Sequence, residues 1–136
     1  NIMSVIRGHF WELEDQKIED LLVTPTVTTP KHLLERMTAA ESIKDALDEL
    51  SSTKYKDLIP ETGNDVELIS KFEHSLEMAT YKAVNGSFSK MFSFATTVAI
   101  SKLIAYEVRN IAAIAFAVEQ KIPIETTMAK LIISEE

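Results

Sequence analysis

The chain of 136 residues is long enough for one real core, and its 46% apolar content excludes a mostly disordered protein. Its 21 acidic residues outweigh 14 basic ones, for a net charge of −7; the lysines and arginines are scattered, so no basic stripe can follow a phosphate backbone and nucleic-acid binding is not expected. It has no cysteine, which excludes disulfides, thiolate zinc sites and cysteine nucleophiles together.

Read in chain order, the sequence is helical. It opens on "NIMSVIRG", with no secretory signal pattern. A short helix is expected over 14–23. The stretch Thr24 to Thr29, "TPTVTT", is the one β-flavoured run, and Pro25 and Pro30 make it a connector. A helix follows over 30–37, with Thr29 as N-cap and Pro30 in its first turn. Thr38 and Glu41 form a capping-box spacing for a helix over 39–51, whose apolar face is Ala39, Ile43, Ala46, Leu47 and Leu50. Another short helix is expected over 53–59.

Asn64 and Glu67 repeat the capping-box spacing and start a helix over 65–85, with Val66, Ile69, Phe72, Leu76, Ala79 and Ala83 on one face. Gly86 is expected to stop it and Ser87 to start the next, over 87–119. At 1.5 Å per residue that helix is about 50 Å long. It is apolar on most of its circumference, so it is expected to be a central element covered by others. A last short helix spans 124–134. No segment qualifies as membrane-spanning: Met91 to Ser101, flanked by Lys90 and Lys102, is the longest uncharged apolar run, and a bilayer needs about 20 such residues.

Glu107, Arg109 and Asn110 interrupt the apolar text of the long helix, "LIAYEVRNIAAIAFAVEQ". At about 100° per residue, Arg109 falls in one arc with Lys90, Lys102 and Glu119, the expected solvent face. Glu107 and Asn110 fall elsewhere, among Leu103, Tyr106, Ile111 and Ile114, and are expected to be buried, with Glu107 hydrogen-bonded. A lone carboxylate with no second acid, base or metal partner at useful spacing reads as a structural group that fixes helix register, ahead of a general acid or base.

The opening text also recurs. Asn1, Ile2 and Val5 match Asn110, Ile111 and Ile114, and Ile18, Leu21 and Leu22 match Met128, Leu131 and Ile132 with one residue of slack. The period is about 110 residues, the size of a small domain. The expectation is a single all-helical domain over 1–136 holding one full period plus the start of the next from about residue 107, as a fragment would.

Other chemistry is poorly served. Gly8, Gly63 and Gly86 are too far apart for a phosphate loop. His74 and Glu77 lie at i and i+3 but have no second histidine nearby, so they read as a helical polar pair and no metal site is expected. No nucleophile elbow occurs. "NGS" at Asn85 to Ser87 reads as a helix–helix turn. Phe88, Met91, Phe92 and Phe94 read as core.

With these residues in view, the sequence resembles the C subunit of the archaeal A-type and bacterial V-type ATP synthases, related to the d subunit of the vacuolar proton pump. That family repeats an all-helical domain with a signature of Glu-apolar-Arg-Asn-apolar, then Arg-Gly-Lys, a short helix, and Leu-x-x-Thr-x-Tyr. Glu107, Val108, Arg109, Asn110 and Ile111 match it in one copy. Asn1, Ile2, Arg7 and Gly8 match it in the other, with His9 in place of lysine. Leu50, Thr53, Tyr55 and Leu58 match the last element, while Phe116 and Ala117 replace Arg-Gly in the second copy.

The resemblance implies an all-α domain of several short helices packed around one long central helix. It implies a non-enzymatic central-stalk adaptor, peripheral on the cytoplasmic side of the membrane, that links the proteolipid rotor ring to the shaft subunits and transmits torque. Neither a cofactor nor bound nucleotide is implied. Two other readings stand beside it: a helical ligand-binding or regulatory module of another family, and a helical enzyme using Glu107. A cavity beside Glu107 lined by further polar groups would favour the enzyme.

Overall fold

The computed structural model describes residues 1–24, 29–87 and 94–133, and these are helical throughout with no strand. In order they form α1 (Ile2–Phe10), α2 (Asp15–Asp20), α3 (Lys31–Thr38), α4 (Ile43–Asp48), α5 (Asp65–Gly86), α6 (Phe94–Glu119) and α7 (Ile124–Met128), with single 3-10 turns at Glu49–Ser52 and Lys56–Leu58. The fold is all-α, as the sequence implies, with α6 its longest described helix at 26 residues and α5 next at 22. The helix expected over 87–119 is described from Phe94 on. Phe88, Met91 and Phe92 of the expected core cluster, and Pro25 to Thr28 of the connector, lie outside the described residues.

The chain divides into two compact units, Asn1–Glu73 and His74–Glu136, with α5 contributing to each. The first unit has a dense core. α1 packs on α2, α3 and α4, and α3 on α4. Val5, Ile6, Ile18, Leu34, Met37, Leu47, Leu50 and Phe72 are essentially sealed from solvent. His9 closes one side of it, its Nε2 lying 2.8 Å from the Met37 carbonyl oxygen. Arg7 Nη2 donates to Glu73 Oε1 at 2.6 Å, bracing α1 to the start of α5.

Local signals decide the helix ends, sometimes against the sequence reading. Asn64 and Glu67 form the expected capping box: Asn64 Oδ1 accepts from the Glu67 N–H at 3.0 Å and Glu67 Oε2 from the Asn64 N–H at 3.3 Å. The other box is not built. Thr38 ends α3 instead of capping α4, and its hydroxyl is buried without a partner among the described residues. Ser42 is the cap, its Oγ accepting from the Asp45 N–H at 3.1 Å. Ser42 shares the Thr38 capping chemistry but stands directly before the apolar run Ile43, Ala46, Leu47 that the core buries, so packing selects it.

At α3 the cap position is Pro30, one residue later than expected. The helix expected over 53–59 is only the 3-10 turn Lys56–Leu58, and that over 124–134 ends at Met128. α5 ends at Gly86, as expected; the Ser87 hydroxyl donates back to the Ala83 carbonyl at 3.0 Å, and the first residues of the helix expected after it, 88–93, lie outside the described residues.

In the second unit α6 packs along one side only. Ala99, Tyr106 and Ala117 are its buried residues. Tyr81 on α5 meets Tyr106 edge to face, with centroids 6.1 Å apart. Leu131 and Ile132, after α7, complete the buried set. Phe94, expected in the core, is exposed.

Candidate functional site

Asn1 and the group Glu107, Arg109 and Asn110 sit on two helical hairpins of the same local design, one in each unit. In the first, α1 ends in a Schellman turn: the Leu13 N–H donates to the Gly8 carbonyl and the Glu12 N–H to the His9 carbonyl, both at 3.0 Å, with Glu12 left-handed at φ 52°. Glu14, extended at φ −60° and ψ 144°, then leads into α2. The side chain of Asn1 closes the hairpin. Its Nδ2 donates to the Val23 carbonyl and its Oδ1 accepts the Val23 N–H, both at 2.8 Å.

The second hairpin, α6 to α7, repeats this at residues numbered 109 higher. The Ile122 N–H donates to the Ala117 carbonyl at 2.9 Å and the Lys121 N–H to the Val118 carbonyl at 3.3 Å, with Lys121 at φ 54°. Pro123 leads into α7 at φ −55° and ψ 145°. Asn110 Nδ2 donates to the Ile132 carbonyl at 2.8 Å, and its Oδ1 accepts the Ile132 N–H at 3.0 Å. A primary amide presents an N–H donor and a carbonyl acceptor side by side in one plane, so it can pair with both groups of one peptide residue, as a neighbouring strand would. The correspondence runs Ile18 to Thr127, Leu22 to Leu131 and Val23 to Ile132, so the one-residue slack of the sequence comparison is not needed.

Where the hairpins differ, the difference is steric. A Cβ on Gly8 would lie 2.7 Å from Ile18 Cγ1, so α1 approaches α2 closely because that residue has no side chain. At the corresponding positions stand Ala117 and Thr127, a larger residue on the first helix and a smaller one on the second.

The charged members of the signature separate. Glu107 is exposed, contrary to expectation, and among the described residues it has no hydrogen bond or ion pair. The packed side of α6 runs through Ala99, Tyr106 and Ala117, which puts Glu107 about 100° round the helix from Tyr106. Because α6 is apolar nearly all round, its sequence could not select this phase. Asn110, expected to be buried, is half-buried at the edge of the packed side. Arg109 is exposed, as expected, but not idle: its two Nη atoms grip the Glu77 carboxylate on α5, with Nη2 to Oε2 at 2.9 Å. Glu77, the polar partner that the sequence assigned to His74, is thus the anchor of Arg109. Local spacing could not reveal this, since the two residues lie on different helices.

Tyr106 belongs to the same cluster. Burial pushes its phenol above the ordinary value of 10.0 and the Glu77 carboxylate adds to this, while Arg109 and the Thr80 side chain pull the other way.

Thr53 and Tyr55 shape the turn after Leu50. The Thr53 hydroxyl donates to the Leu50 carbonyl at 2.7 Å and accepts the Tyr55 N–H at 3.1 Å, carrying the chain from one 3-10 turn to the next. The Lys54 ammonium lies 5.1 Å from the centre of the Tyr55 ring. Among the described residues no group of three or more His, Asp or Glu could hold a metal ion, and no helix is long and apolar enough to cross a membrane.

What the arrangement offers is therefore rigid helical hairpins and an uncovered helix. The protein-family model described as ATP synthase (C/AC39) subunit matches residues 1–130. No curated protein and no solved structure matches the chain. With nearly its whole length matched, the chain belongs to the ATP synthase (C/AC39) subunit family.

Proposed function

We propose that the chain is a non-catalytic adaptor of a rotary proton-translocating ATPase or ATP synthase. It connects the proteolipid rotor ring to the shaft subunits of the central stalk and passes torque between them, peripheral to the membrane on its cytoplasmic side. The observation that carries this reading is the family match over residues 1–130. The architecture supports it. Helices are tied to neighbouring segments by side-chain amides at Asn1 and Asn110 and by ion pairs at Arg7–Glu73 and Arg109–Glu77, which suits a part that must resist twisting. The two hairpins at a spacing of 109 support reading the chain as one period of a repeated helical domain together with the opening of another.

The test is uncoupling. Membrane vesicles assembled with the complex but without this subunit should keep ATP hydrolysis by the catalytic head and lose ATP-driven proton uptake. Adding the subunit back should restore it. Unchanged proton uptake in its absence would overturn the adaptor role.

A further inference from the structure

The two hairpins share one frame and differ in what they carry at its tip. Phe10 and Trp11, at the end of α1, are 43% and 61% exposed. Their counterparts in the second hairpin are Glu119 and Gln120, also exposed. Both tips close with the same pair of backbone bonds, so the turn itself does not need the aromatic rings. Charge differs in the same way. Residues 10–20 carry Glu12, Glu14, Asp15, Glu19 and Asp20 against Lys17, and Lys17 already pairs with Glu14 at 3.3 Å. Residues 119–129 carry only Glu119 and Glu125 against Lys121.

The packing of the chain leaves such a tip bare from both directions. In the first unit α3 and α4 follow the hairpin and pack on α1, burying Ile2, Val5 and Ile6, yet Trp11 stays open. In the second unit α5 and α6 lead up to the tip, and Glu119 and Gln120 stay open. Neither the part of the period before a hairpin nor the part after it reaches the tip. An exposed indole at such a place has the character of an interface anchor.

The surroundings set the chemistry of what it anchors. The face of a tryptophan attracts a cation, and a guanidinium can stack on it while its N–H groups fork onto carboxylates. A second copy of the chain brings the same carboxylates and is repelled. Anionic headgroups of a lipid surface meet the same repulsion.

We propose that the tip of the first hairpin, Phe10 and Trp11 with Glu12, Glu14 and Asp15, docks an arginine-bearing segment of another protein, whose aliphatic side chains cover the rings and whose arginines meet the carboxylates. This goes beyond the adaptor reading and does not depend on it.

Trp11 is the single tryptophan of the chain, so its emission reports on this tip alone. The experiment uses the full chain and three synthetic peptides free of tryptophan and tyrosine. One combines leucine and arginine, one has glutamate for each arginine, and one has serine for each leucine. The leucine–arginine peptide should shift Trp11 emission to the blue, shield it from acrylamide, and bind at least about tenfold more tightly than the other two. Trp11→Gln keeps the charge and copies Gln120. Followed by anisotropy of the labelled peptide, it should bind at least about tenfold more weakly, at an unchanged urea midpoint. Glu12→Gln with Asp15→Asn should also weaken binding, while the same loss of charge at Glu119 and Glu125 should not. No binding, binding without an emission shift, equal affinity for the three peptides, or an unweakened Trp11→Gln complex would overturn the proposal. So would a blue shift that grows with chain concentration in the absence of peptide, or uptake onto phosphatidylcholine vesicles in preference to the peptide.

Discussion

Glu107 and Asn110 stand three residues apart on one helix and do opposite things. Asn110 spends both halves of its amide on the backbone of Ile132, a residue only 3% exposed. Asn110→Ala leaves that N–H and carbonyl unpaired in a largely dry place and should cost about 1–2 kcal/mol. Glu107→Ala removes a solvated side chain with no partner among the described residues and should stay within about 0.5 kcal/mol. Urea midpoints of the two variants check this ordering; equal midpoints would contradict it. Tyr106 adds a pH signature. Its phenol is held neutral above the ordinary value, so the stability it lends is fully present below pH 10.0 and is lost as pH rises through its own higher pKa. Absorbance titration of tyrosinate should show a late step that Tyr106→Phe removes, and alkaline unfolding of that variant should depend less steeply on pH in the same window.

The unit of construction is the hairpin of a helix, a Schellman turn and a short helix locked by an asparagine. Its turn residues, Glu12 and Lys121, are not glycine, yet both take left-handed φ. The hydrogen bonds of the turn and the asparagine clamp together over-determine that conformation. The close approach in the first hairpin yields a sharp test. Gly8→Ala puts a methyl 2.7 Å from Ile18 Cγ1, and Ile18 is fully buried, so the side chain has little room to give. The substitution should destabilise by about 1–3 kcal/mol. Ile18→Thr on the same background imitates the Ala117/Thr127 pairing and should lose less than the sum of the two single changes. Strict additivity in a denaturant double-mutant cycle would show that the two positions do not share space.

At the scale of the molecule the two units differ in how much each has buried. The first seals a core of aliphatic side chains around α1, α3 and α4, while among the described residues of the second only Ala99, Tyr106, Ala117, Leu131 and Ile132 are buried. Opening free energies follow buried contact, so amides of α1, α3 and α4 should exchange far more slowly than those in the middle of α6. Hydrogen-exchange mass spectrometry of the chain alone measures this. In the assembled complex the α6 amides should slow as its apolar faces are covered, whereas unchanged exchange there would mean that those faces stay bare.

The sequence by itself determined what depends on neighbours along the chain. It specified helix throughout from apolar spacing, the Asn64–Glu67 capping box, the long helix, and the likeness of "NIMSVIRG" to "NIAAIAFA" that led to the family. It did not decide between rival signals of equal local strength. Thr38 and Ser42 share the same cap chemistry, and only burial of Ile43, Ala46 and Leu47 favours Ser42. The phase of α6 was illegible for a physical reason: a helix apolar nearly all round has no preferred inner side until a neighbour provides one. That neighbour is α5. Tyr81 meeting Tyr106 and Glu77 holding Arg109 turned Asn110 to the edge of the packed side and left Glu107 in water, and contacts between residues this far apart in the chain, 32 positions for Glu77 and Arg109, are written in no local pattern.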